Sequence, residues 1–132
     1  MAGTAHHRGM LRILLVEDSR DIRPRMVRCL SNIDSVSLLA TAESIADARH
    51  YIEELQPDLL LLDLSLPDGN ASDCIFELMR LAPAMDVAIH SNDASAFTRQ
   101  KCLDAGAKWF FDKSGELEDL IGFVQERALL CP

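Results

Sequence analysis

The sequence predicts an α/β fold in which five strands, each followed by a helix, form one doubly wound five-stranded parallel sheet. Three observations carry that reading. Five short aliphatic or aromatic runs are near-continuous instead of alternating, the pattern of strands covered on both faces. Amphipathic helical segments lie between them, and Gly, Pro and Asp punctuate the joins. A strand and helix repeat joined by right-handed crossovers gives parallel neighbours with helices on both sides of the sheet. At 132 residues and 48% hydrophobic, the chain has material for one core and little for a second domain.

The first strand is RILLVED, Arg12 to Asp18, and Ile22, Met26 and Leu30 mark the buried face of the helix after it. Pro24 falls about one turn into that helix, where few amides yet have partners, so a small distortion is expected instead of a break. SVSLLATA forms the second strand, and Ile45, Ala48, Ile52 and Leu55 share one face of the second helix. Pro57 precedes the third strand, DLLLLDL, and LPDG at Leu66 to Gly69 turns the chain after it. Ile75, Leu78 and Met79 belong to a third helix closed by Pro83. DVAIHS is the fourth strand, Gly106 stops the fourth helix, and AKWFFDK is the fifth strand. Leu117, Leu120, Ile121, Val124 and Ala128 line the last helix. Residues 1–9 read as a polar extension and residues 10–132 as the domain.

Composition removes several classes of function. The net charge of −8 lacks the basic footprint that direct nucleic-acid binding by this chain would need. No run of about eighteen apolar residues offers a membrane span, and the opening MAGTAHHRGM has no apolar signal region. A cytoplasmic chain with no membrane partner is expected. Cys29, Cys74, Cys102 and Cys131 lie far apart without metal-ligand spacing, so they read as reduced, mostly buried small hydrophobes, Cys131 being the most exposed.

Ligands of open α/β sheets bind outside the carboxyl ends of the strands, at the switch point of strand order. Glu17 and Asp18 end the first strand, Asp63 the third, Ser91 the fourth and Lys113 the fifth. Taken singly, each has an ordinary use. An acidic residue followed by Ser caps a helix, Asp63 caps a loop, Ser91 caps the next helix, and Lys113 is a solvated lysine. Together they bring three carboxylates, a hydroxyl and an ammonium to one edge, which points to a single site. Clustered carboxylates repel, and a hard divalent cation, Mg²⁺, is the economical way to hold them. Mg²⁺ accompanies phosphate, whose oxygens the hydroxyl and the lysine would orient. A carboxylate can itself be the nucleophile, and Asp63, between the metal side and the donor side, is the candidate.

LLVEDS, DLLLLDLSLPDGN, AIHSN and AGAKWFFDKS follow one another as in the receiver domains of two-component response regulators, and over residues 11–130 the chain resembles that family. The resemblance implies a flavodoxin-like, CheY-like (βα)5 fold with strand order 2-1-3-4-5. It implies that Asp63 accepts a phosphoryl group from the phosphohistidine of a sensor histidine kinase or a histidine phosphotransfer protein. Glu17, Asp18 and Asp63 would hold Mg²⁺ with the backbone carbonyl of Ser65, while Ser91 and Lys113 would bind phosphoryl oxygens. Phe110 takes the family's aromatic switch position. Its movement would alter the face of the fourth helix, fifth strand and fifth helix, through which a homodimer would form. Such a chain is no enzyme beyond catalysing its own phosphorylation and dephosphorylation.

Several positions depart from the family pattern. Glu17 replaces an Asp and lengthens one arm at the metal. Ser114 replaces the usual Pro after the lysine, so a trans peptide and a rearranged loop are expected. Asn92 replaces a small residue beside the hydroxyl and stands to crowd the phosphoryl group. His90 replaces an aliphatic residue; alternation points it away from Ser91, and a buried, satisfied imidazole is expected. Ser65 and Asp93 would flank the path of hydrolytic water and set phosphoryl lifetime. Arg20, Arg23, Arg25 and Arg28 give the first helix a basic strip suited to an acidic helical bundle. The alternative function is a phosphorylation-independent adaptor that keeps the fold, which Ser114 and Asn92 favour. A metal-dependent phosphohydrolase would need a general acid and a substrate pocket for which the sequence has no pattern.

Overall fold

The computed structural model describes residues 9–130. Its main sheet has five parallel strands, β1 (Leu11–Val16), β2 (Val36–Ala42), β3 (Leu59–Asp63), β4 (Asp86–Ser91) and β5 (Trp109–Asp112). Five helices alternate with them: α1 (Ile22–Ser31), α2 (Ile45–Leu55), α3 (Ile75–Leu81), α4 (Ala96–Asp104) and α5 (Leu117–Leu129). The order across the sheet is β2-β1-β3-β4-β5, so the doubly wound architecture and the strand order agree with expectation. The order reverses between β1 and β3, which puts the ligand crevice at their carboxyl ends.

Alternation across a covered sheet explains why the strands are apolar throughout. Ile13, Leu15, Leu59, Leu61 and Ala88 face α1 and α5, where they meet Met26, Leu30, Leu120 and Val124. Leu14, Val16, Leu60, Leu62, Val87 and Ile89 face the other way, onto Ile45, Ile52, Ile75, Leu78 and Cys102. Each Val, Leu, Ile or Met among them contributes about 1.5–3 kcal/mol of burial. Full cover holds for β1, β3 and β4, but β2 and β5 are largely half-buried. Both lie at the sheet margins, where a strand has a neighbour on one side only.

Local chemistry sets the ends of the elements. The Ser19 hydroxyl accepts from the Ile22 amide at 3.2 Å, and the Ser19 carbonyl accepts from Arg23 at 3.0 Å, which starts α1. Pro24 sits in that first turn, where its missing donor costs no bond, and the helix runs on to Ser31. After β3, Ser65–Leu66 and Gly69–Asn70 pair as a short antiparallel hairpin around Pro67 and Asp68. The Asp68 carboxylate accepts from the Ile45 and Ala46 amides at 2.8 and 3.0 Å, so the hairpin turn caps α2. Gly106, with φ of +121°, leads from the end of α4 toward β5.

One expectation about the cysteines needs correction. Cys102 is buried and Cys74 half-buried, but Cys29 is exposed. It directly precedes Leu30, and one residue turns a helix by about 100°, which carries Cys29 off the buried face. Cys131 and its expected exposure lie outside the described residues, as do residues 1–8 of the polar extension. Among the described residues, no helix is long and apolar enough to cross a membrane.

Candidate functional site

Strand parity gathers four side chains on the α1 and α5 side of the carboxyl edge. Glu17 continues the row of Ile13 and Leu15, and Asp63 that of Leu59 and Leu61. His90 follows Ala88 in the same row and is the register partner of Asp63; Lys113 follows Phe111. The Lys113 ammonium lies 2.9 and 3.2 Å from the two Glu17 carboxylate oxygens and 3.3 Å from Asp63 Oδ2. Glu17 and Asp63 are both buried. The Ser19 amide donates to Glu17 Oε2 at 3.0 Å, fixing that carboxylate against the start of α1.

The electrostatics follow from burial and these partners. Burial works against charge on Glu17, but His90, the Ser19 amide and Lys113 outweigh it and hold the carboxyl down at about 2. Burial and the neighbouring Glu17 push Asp63 the other way, to about 6, against the pull of His90 and Lys113. Burial opposes the charge of Lys113, yet its bond to Glu17 and the charge of Asp63 leave its pKa raised. Two carboxylates thus share one ammonium. This oxygen donor set suits a divalent cation.

The other expected residues stand around this cluster. Asp18 is half-exposed and outside the closest group of metal-capable side chains, and Ser65 is exposed on the hairpin. Ser91 is buried, and its hydroxyl accepts from the Asp93 amide at 3.0 Å. The Asp93 carboxylate accepts from Thr98 at 2.7 Å and from the Ser95 amide at 3.2 Å, so it also ties the loop before α4. Asn92 is exposed. Phe110 is half-buried, with the Arg99 guanidinium 4.8 Å from its ring centroid.

Ser114 stands in a trans peptide, and its amide and hydroxyl both donate to Asp112 Oδ1, at 2.9 and 2.6 Å. The Asp112 amide in turn donates to Glu116 at 2.6 Å. These bonds anchor the loop that carries Lys113.

Two side chains have roles that differ from the sequence expectation. His90 is buried but not satisfied: Nδ1 lies 3.3 Å from Glu17 Oε1, and neither ring nitrogen makes a hydrogen bond. Pointing away from Ser91 meant pointing toward Glu17 and Asp63, a conclusion available from strand parity once the register is known. Arg23 is not a free member of the basic strip. Its guanidinium donates to the Glu17 carbonyl at 3.1 Å and pairs with Glu43 at 3.1 Å.

Residues 13–125 match the family model described as the response regulator receiver domain. The transcriptional regulatory protein MalR of Bacillus subtilis is 33% identical over 109 residues, covering 83% of this chain and 46% of MalR. A CheY-like receiver domain protein from Methanospirillum hungatei JF-1 has a TM-score of 0.77 at 25% identity, covering 90% of this chain and 94% of that one. The beryllofluoride-activated NtrC4 receiver domain dimer also gives 0.77 at 25% identity, covering 90% and 96%. The chain spans about half or less of the length of the curated relatives it matches. With the sheet order and the carboxyl-edge cluster in agreement, the chain belongs to the response regulator receiver domain family.

Proposed function

We propose that this receiver domain takes a phosphoryl group onto Asp63 from the phosphohistidine of a sensor histidine kinase or a histidine phosphotransfer protein, in a Mg²⁺-dependent reaction. The observation that carries the reading is the Lys113 ammonium spanning Glu17 and Asp63, at 2.9 and 3.3 Å, on the carboxyl edge of the sheet. A carboxylate oxygen of Asp63 attacks phosphorus, the P–N bond breaks, and the partner's imidazole leaves with the electron pair. With its pKa near 6, Asp63 is mainly ionised at neutral pH and ready to attack. Glu17, Asp18, Asp63 and the Ser65 carbonyl would hold Mg²⁺. When bound, the ion neutralises charge on the transferred group.

Lys113 moves from the carboxylates to a phosphoryl oxygen. The Ser91 hydroxyl accepts from the Asp93 amide and keeps its own proton for another phosphoryl oxygen. As the Ser91 hydroxyl is drawn to that oxygen, the space it vacates admits the ring of Phe110 and changes the face of α4, β5 and α5, where partners or a second copy would bind.

Intact mass after incubation with Mg²⁺ and acetyl phosphate tests the proposal. The expected result is a phosphoryl-sized increase that disappears in Asp63→Asn and on chelation. No increase, with no binding of beryllofluoride, would replace this reading with the phosphorylation-independent adaptor.

A further inference from the structure

The cation site has a nitrogen donor on its floor. His90 is only 2% exposed, and both of its ring nitrogens lack a hydrogen bond. Glu17 Oε1 lies 3.3 Å from Nδ1 and is otherwise met by the Lys113 ammonium, 2.9 Å away. A buried imidazole with neither nitrogen bonded costs free energy unless something else satisfies it. One ligand atom each from Glu17, Asp63 and His90 lies within 4.8 Å of the others. Two ligands about 2.1 Å from one tetrahedral ion stand about 3.4 Å apart, close to the 3.3 Å between His90 Nδ1 and Glu17 Oε1. A cleft of about 80 Å³ between α1 and α5, lined in part by Ile22, Arg25, His90 and Lys113, provides an approach to the imidazole.

We propose that His90 is a metal ligand, and that Glu17, Asp63 and His90 form a mixed nitrogen and oxygen site that takes a divalent ion of the Zn²⁺ class more tightly than Mg²⁺. The inference rests on the proposed reading of Glu17 and Asp63 as cation ligands. Mg²⁺ prefers oxygen donors, whereas imidazole suits Zn²⁺ and its first-row neighbours, so an imidazole at position 90 alters which ions the site selects. The Lys113 ammonium, which offsets one of the two carboxylate charges, moves away as a dication enters.

The chain has four histidines, so H6A, H7A and H50Q together leave His90 as its single imidazole. Co²⁺, a spectroscopic stand-in for Zn²⁺, is titrated into that chain and into the same chain carrying His90→Gln, and Mg²⁺ into both by calorimetry. The expected result is a Co²⁺ affinity at least about tenfold lower without His90, with Mg²⁺ affinity changed by less than about twofold. Visible bands of four-coordinate cobalt should accompany His90 alone. Equal Co²⁺ affinity in the two chains overturns the proposal while Mg²⁺ binding leaves the phosphorylation reading standing; failure of both chains to bind either ion removes both. If His90→Gln does not fold, pulsed EPR of Mn²⁺ in the His90-only chain decides: imidazole nitrogen coupling supports the ligand, and its absence overturns it.

Discussion

Asp63 is buried beside Glu17, and these two causes raise its carboxyl from 3.8 to about 6. An acid raised on folding contributes stability that is greatest below its unfolded pKa and is lost as pH rises through the folded value. Glu17 runs the other way: lowered from 4.5 to about 2, it contributes above its unfolded pKa and loses that contribution as pH falls toward 2. With chelator present, Asp63→Asn should therefore raise stability at pH 8 by about 1–3 kcal/mol, and by well under half as much at pH 4. Urea denaturation at the two pH values checks this, and an equal gain at both would show that the Asp63 charge is not its source. At this scale the sequence was enough to put Glu17, Asp63 and Lys113 at strand ends. It misjudged His90 because alternation states that Ser91 and His90 point apart, not which of them shares a face with Glu17.

Elements hold these residues in place through a few special positions. Gly106 has a φ of +121°, and a Cβ there would stand 2.6 Å from Met79 Sδ. The thioether can yield, but the backbone cannot relax cheaply, so Gly106→Ala should cost about 1–2 kcal/mol in urea denaturation. The α1 arginines separate into two groups. Arg25 and Arg28 are exposed, whereas Arg23 is bound to the Glu17 carbonyl and Glu43. Charge reversal at Arg25 and Arg28 should slow phosphotransfer from a protein phosphohistidine by about tenfold, the effect of lost electrostatic steering, and leave acetyl phosphate labelling unchanged. Arg23→Glu should impair both assays because it disturbs the backbone at Glu17. Equal slowing of both assays by the Arg25 and Arg28 reversals would reject α1 as the docking element.

The whole molecule carries a net charge of −8, so close approach of two copies needs an apolar contact to offset repulsion. Phe97 on α4 is 78% exposed and belongs to the face proposed to respond to phosphorylation. Beryllofluoride with Mg²⁺ should double the mass seen by light scattering, and Phe97→Glu should keep the treated chain monomeric. A treated wild-type chain that stays monomeric would remove the homodimer from the proposed output and leave only heterologous partners.

The sequence by itself determined the fold class, the succession of elements and the set of polar residues at the strand ends. Those properties reside in local periodicity: near-continuous apolar strands, helical spacing such as Ile45, Ala48 and Ile52, and turn residues such as Gly106. Tertiary structure alone decided that His90 meets Glu17 across the sheet, that Arg23 holds the Glu17 carbonyl, and that Asp68 caps α2 from the hairpin. A period of two fixes opposite faces for neighbouring residues but leaves each face unnamed. Strand register and the helices packed on either side supply that name, and both depend on contacts between segments distant in the chain.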